Sequence, residues 1–187
     1  MPQPFFTSDT HFFHERIITL CHRPFVTVEA MNDALIERWN AKVSKSDLVY
    51  HLGDFALKCT AQDAEGILDR LNGQIILIRG NHETVADQVK HRFAAVKDYD
   101  EIGVKDNDAH GGKRRITLLH YAMRVWNASH HGSWHLYGHS HGSLSDDPHS
   151  LSFDVGVDCW GFAPLSYQEV KGVMAGKSWA PVDHHVA

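Results

Sequence analysis

The chain has 187 residues, enough for one domain with a substantial core, and its 43% hydrophobic and 22% charged content is that of an ordinary globular protein. Its formal net charge of −5 speaks against a broad basic surface for long nucleic acid, and so against a polymer-gripping nuclease, but does not exclude a small nucleotide. In chain order, Phe5-Phe6-Thr7 reads as a short buried strand whose end delivers Asp9 and His11. Residues 29–43 form an amphipathic pattern, with Met31, Leu35 and Trp39 recurring every four residues and Ala34 on the same face. Leu48 to Leu52 is a strand run stopped by Gly53, and residues 61–71 predict a second helix with Ala64, Ile67, Leu68 and Leu71 inward. A turn at Asn72-Gly73 precedes the fully apolar strand Ile75 to Ile78. Residues 107–114 read as a polar, glycine-containing turn; strands at 116–119 and 134–137 then end at His120 and Gly138. Ser166 and Glu169 have capping-box spacing and predict a last helix ending near Gly176. There is no internal repeat or second domain; residues 1–180 are expected to form one unit and 181–187 a loose tail.

Cys21, Cys59 and Cys159 are an odd number with no close pair, so a reducing compartment is expected rather than a disulfide framework. The first residues run into the apolar Phe5-Phe6 without a basic-then-apolar signal, and no apolar run approaches membrane-spanning length. A cytoplasmic protein without membrane contact is the resulting expectation. Oligomeric state leaves no trace in the pattern.

Sixteen histidines are an outlying number, and five of them fall in short motifs that also carry carboxylates or amides. The motifs are Asp9-Thr10-His11, Gly53-Asp54, Gly80-Asn81-His82-Glu83, His120-Tyr121 and Gly138-His139-Ser140-His141. Residues two apart in an extended segment point the same way, so Asp9 with His11, and His139 with His141, are expected to aim together. Taken singly, Asp-x-His reads as an exposed polar pair or a helix start, and Gly-Asp or Gly-Asn as a turn. Taken together, they are the composition of a metal-assisted hydrolase site with two divalent cations sharing one carboxylate. Outside the motifs the plainer readings lead. His51 is expected to be a satisfied core histidine, and His130, His131, His149, His184 and His185 to be exposed. His14 fits either a place behind the site or a helix start, and Trp126 and Trp160 fit core or rim. Arg23 and Arg124 are candidate phosphate clamps, against the ordinary reading of surface arginines.

The order of these motifs closely resembles the calcineurin-like metallophosphoesterase superfamily, whose pattern is D-x-H, G-D, G-N-H-D/E, a lone H, and G-H-x-H. The resemblance extends from residue 9 to residue 141, with Asp154 to Asp158 resembling the strand that often closes such domains. Glu83 stands where many members carry Asp, and Phe55-Ala56-Leu57 replaces the carboxylate-arginine segment often found after G-D. The resemblance implies an α/β (α+β layered) fold of two packed mixed sheets flanked by helices, with the site at the strand ends. It implies one metal held by Asp9, His11, Asp54 and His141, and another held by Asp54, Asn81, His120 and His139. Mn, Fe, Co, Ni or Zn would all suit such donors. It further implies hydrolysis of a small or exposed phosphoester, a phosphodiester or nucleotide for preference, by a metal-bridging hydroxide, with His82 protonating the leaving oxygen. The competing expectation is a catalytically silent metal-binding interaction module on the same fold.

Overall fold

Strict alternation within the apolar runs divides them between two cores. The computed structural model describes residues 4–182. Strands β1 (Pro4–Thr7), β2 (Leu48–His51) and β3 (Gln74–Ile78) lie parallel, with Phe5 opposite Val49 and Val49 opposite Ile75. Phe5, Val49, Ile75 and Leu77 face four helices: α1 (Glu15–Leu20), α2 (Val28–Asn40), α3 (Ala61–Arg70) and α4 (Thr84–Gln88). Phe6, Tyr50 and Ile78 point the other way, into the core shared with a second sheet. A parallel β4 (Ala95–Lys97) and an antiparallel β9 (Leu165–Ser166) complete the first sheet in the order β4-β3-β2-β1-β9.

The second sheet runs β5-β6-β7-β8, from β5 (Asp100–Lys105), β6 (Lys113–Leu118), β7 (Trp134–Tyr137) and β8 (Ser152–Asp154). Its first pair is antiparallel and the others parallel, so both sheets are mixed, as expected. Ile116, Leu118 and Leu136 are fully buried against Phe6 and Ile78, and α5 (Tyr167–Ala175) closes this core with Tyr167, Val170 and Met174. Each such large apolar side chain contributes about 1.5–3 kcal/mol. The shared layer therefore holds the sheets face to face while the other backs the first sheet with helices, and the loops at one end of their strands are brought together.

The capping boxes act at both helices that carry them. Ser166 Oγ accepts from Glu169 N at the start of α5, and Thr60 Oγ1 accepts from Asp63 N at the start of α3. The helix expected over 29–43 ends at Asn40, and Val43 reaches the core through a turn in which its N–H donates to Trp39 O. The strand expected at 116–119 starts at Lys113, because the charged Lys113-Arg114-Arg115 pairs with β5. Asp154 to Asp158 is not the closing strand: β8 ends at Asp154, Gly156 bridges to Ser8, and residues 157–159 make one 3-10 turn. His51 is wholly buried in the core, with Nε2 on Thr10 Oγ1, while Trp126 is buried and Trp160 half-buried. His130 is half-buried rather than exposed, packed on His131. Most of the expected tail (183–187), with His184 and His185, lies outside the described residues. Among the described residues no helix is long and apolar enough to cross a membrane.

Candidate metal centre

All five motifs follow strand ends or apolar runs at the same end of the two sheets. β1 stops at Thr7, and the first motif is sewn to the second by Asp9 N donating to Gly53 O and His11 N to Asp54 O. Ser8 Oγ and Thr10 Oγ1 add bonds to the carbonyls of Leu52 and Phe55. The extended geometry expected for Asp9 with His11 and for His139 with His141 does not occur. Asp9, His11, Asp54, His139 and His141 all have φ between 48° and 69°, in the left-handed region. Such conformations cost on the order of 1–3 kcal/mol per residue and persist only where surrounding bonds over-determine them. The side chains converge through this coiled backbone instead of through a pleat.

Close approach of backbone makes two motif glycines indispensable. A Cβ on Gly80 would collide with Asp54 Oδ1, and one on Gly138 with Ser8 Oγ and Asp9 Oδ2. Glu83 reaches back to accept the backbone N–H of Asp54 and of Gly80, so its extra methylene relative to Asp serves to brace the second motif. Burial pushes the Glu83 carboxyl up to about 7, against the pull of those N–H donors.

The ligand atoms of Asp9, His11 and His141 lie within 4.8 Å of one another, and those of Asp54, His120 and His139 do so as well. Asp54 stands between the groups, with Oδ2 3.5 Å from His11 Nε2 and Oδ1 3.7 Å from His120 Nε2. Asn81 Oδ1 faces His120 Nε2 at 3.1 Å. His120 Nδ1 donates to Leu52 O and His141 Nδ1 to Asp158 Oδ2, each at 2.7 Å, which leaves both Nε2 lone pairs aimed inward. Asp9 Oδ1 and His11 Nε2 are buried without any hydrogen-bond partner among the described residues. Burial pushes the Asp9 carboxyl up to about 7 and the His11 imidazole down to about 2, the latter helped by the neighbouring His141. Buried lone pairs converging without a donor between them suit a divalent cation, and the nitrogen and oxygen donors fit first-row metals.

His82 lies exposed on the solvent side, its ring 6.0 Å from that of His11, while its backbone N–H donates to Asp54 Oδ1. His14 is half-buried with Nδ1 3.3 Å from His11 Nδ1, beside the site as well as before a helix. Arg23 is neither a phosphate clamp nor a surface residue. It is 4% exposed, and its guanidinium grips Asp158 through Nε and Nη2 while also donating to the carbonyls of Asp9 and Thr10. Every N–H of its fork that could meet a phosphate is directed inward. Arg124 is exposed on the loop after His120, lining a separate concavity with Trp126, Leu144 and Trp179. Asp158 went unrecognised in the sequence although it lies in the quoted Asp154 to Asp158 segment; nothing local marks it as the partner of His141. Burial opposes its charge, but the bonds from His141 and Arg23 win and hold its carboxyl below the usual range.

The family model for calcineurin-like phosphoesterases matches residues 5–159. An uncharacterized protein of Methanocaldococcus jannaschii is 34% identical over 172 residues, covering 89% of this chain and 88% of the relative. The Gene 66 protein of Mycobacterium phage L5 is 28% identical over 185 residues, covering 86% and 89%. A crystal structure of a protein of unknown function from Aquifex aeolicus superposes with a TM-score of 0.69 over 92% of this chain and 100% of that one, at 22% identity, and so shares its fold. The match runs from β1 through the turn that carries Asp158, and the chain belongs to the calcineurin-like phosphoesterase family.

Proposed function

We propose that the protein is a two-metal phosphoesterase hydrolysing a small or exposed phosphoester, with phosphodiesters and nucleotides favoured. The observation that carries this reading is Asp54, whose two oxygens are directed at two different ligand groups. Asp9, His11, Asp54 and His141 would hold one divalent ion, and Asp54, Asn81, His120 and His139 the other. Bound there, the ions would neutralise phosphate charge and lower the pKa of a water from 15.7 toward about 7. Asp9 and Asp54 contribute two negative charges and the remaining donors none, so the filled centre keeps a positive surplus for an anionic ester.

The chain's own groups then divide the work. Asp54 fixes the spacing of the two halves, and its Oδ1 is held by the His82 N–H. The imidazole of His82, free to face a bound ester, would give its proton to the leaving oxygen. Asp9 and His11 are buried, so they would close the floor of the site to bulk water beneath a bound phosphate. Retention of the full donor set together with His82 favours this reading over a silent interaction module. Three free cysteines and the absence of a membrane-crossing helix among the described residues support a cytoplasmic setting.

The test uses one variant and two esters. His82→Ala should retain its metal while losing about 10²–10⁴-fold in turnover on an alkyl phosphodiester. A p-nitrophenyl ester, whose leaving group needs no proton, should lose far less. Equal losses on both would remove His82 as the acid. Full activity of chelator-treated protein would overturn the metal-dependent reading itself.

A further inference from the structure

The mouth of the centre has two chemically different walls. On the His120 side stands Tyr121, 46% exposed, its ring 5.0 Å from that of His120 and 4.7 Å from that of His139. The exposed apolar Val125 follows on the same loop. The His11 side carries His14, Arg16, Lys58 and His82. Two chain segments bring Arg16 and Lys58 to the same edge: Phe12 bridges Ala56 in parallel, and Leu57 N donates to Phe12 O at 3.0 Å. Lys58 therefore emerges beside Phe13 and His14, and Arg16 follows within the first turn of α1. Lys58 also has φ 64°, a left-handed bend at an exposed residue just beyond the second motif.

Arg16 and Lys58 are exposed, and neither makes a hydrogen bond or ion pair among the described residues. Elsewhere some surface cations are paired, as Lys42 with Glu169 and Arg70 with Asp33, and others, such as Lys45, Lys90 and Lys105, are not; Arg16 and Lys58 differ from these in standing beside a ligand group. Glu15, the acidic residue of α1, pairs with neither. On a chain of net charge −5, two unpaired cations beside a buried ligand group form a local positive field. His14, with Nδ1 3.3 Å from His11 Nδ1, links these two side chains to the ligand group.

We propose that Arg16 and Lys58 bind a second anionic group of the substrate, so that the centre takes phosphoesters bearing a further phosphate on the His11 side. This rests on the phosphoesterase reading above and narrows its substrate class. The scissile phosphate lies over the ligand groups, the additional phosphate lies toward Arg16 and Lys58, and the uncharged organic part lies toward Tyr121. Guanidinium and ammonium groups together suit a phosphate dianion, which accepts several charge-assisted hydrogen bonds.

The experiment compares thymidine 5′-(p-nitrophenyl phosphate) with the same compound carrying a 3′-phosphate, on metal-loaded protein. Scissile bond, leaving group and nucleoside are identical, so the ratio of kcat/KM isolates the added phosphate. The wild type should favour the 3′-phosphorylated ester by roughly tenfold, mostly in KM, and 0.5 M salt should erase the preference. The Arg16→Met/Lys58→Met pair should bring the ratio to about one. Lys105→Met, on the far end of edge strand β5, should keep it. A wild-type ratio of one, or a ratio unchanged in the double variant, overturns the proposal. If neither ester is cleaved with any metal, the phosphoesterase reading fails. Calorimetry of thymidine 3′,5′-bisphosphate against thymidine 5′-monophosphate then decides the wall separately: equal affinities overturn it, and tighter bisphosphate binding lost in the double variant supports it.

Discussion

The two ligand groups share Asp54 yet are built differently. Asp9 is 0% and His11 2% exposed, and behind them Asp158, itself gripped by Arg23, accepts from His141 Nδ1. Across Asp54, His139 and Asn81 are exposed, and His120 Nδ1 is held by the carbonyl of Leu52, a neutral partner, where His141 has a carboxylate. The first half is enclosed and pre-organised; the second faces solvent with fewer restraints. The proposed two-metal reading therefore expects tighter retention in the first half and easier exchange in the second, and each prediction below removes or isolates one part of that contrast.

The largest effect should come from removing what the halves share. Asp54→Ala takes a donor from both and should lower activity by about 10³-fold or more, with no rescue by millimolar metal. Asp9→Ala disturbs one half, and excess metal should recover part of its activity. Identical behaviour of the two variants across a metal titration would show that Asp54 does not bridge.

A smaller effect is expected from Asp158→Asn. The amide oxygen can still accept from His141 Nδ1, but the charge facing Arg23 and His141 is gone. Loss of such an outer partner typically weakens metal binding about 10–100-fold. Direct metal titration should resolve two classes in the wild type, with the tighter class weakened and the looser one unmoved in the variant. Equal weakening of both classes would deny the asymmetry.

The mildest effect concerns acid. Each sheet carries a buried neutral imidazole outside the ligand groups: His51, pushed by burial down to about 3, and His135, pushed down to about 4. The unfolded chain takes up these protons below about 6.5 and the folded one does not, so stability falls as pH drops through that value and levels off below the folded values. In urea unfolding of metal-free protein between pH 6 and 4, each histidine should contribute a slope of up to about 1.4 kcal/mol per pH unit, set against the opposite contribution of the raised Asp9 and Glu83 carboxyls. His135→Gln should remove its share, and an unaltered slope would mean that its ring is already protonated when folded.

What the sequence disclosed follows from where the signals lie. Each motif places a polar ligand type at the end of an apolar run, and burial of the run makes the polar residue conspicuous. His51 was legible as a core residue because it sits inside such a run. The left-handed backbone was not, since Asp and His at positive φ carry no local mark, and the assumption of a pleat misdescribed how the side chains meet. Arg23 and Asp158 are 135 positions apart, so only the folded chain makes them partners. Strand β5 escaped because its alternation, Asp100-Glu101-Ile102-Gly103-Val104-Lys105, is diluted by the charges that protect a sheet edge. The family resemblance gathered the motifs into one centre; it said nothing of the bonds that brace them.

The hydrogen bond from His139 N to Asp9 Oδ2 joins residues 130 positions apart. A ribosome releases Asp9 and His11 long before their partners exist, and the early carboxylates cannot hold an ion firmly alone. Closing so long a loop is slow relative to forming local helices, which places completion of the centre late in the order of events. Metal capture is thereby expected to await the finished chain: after incubation with a divalent metal and desalting, fragments ending before residue 139 should retain none, while the full-length product should retain it.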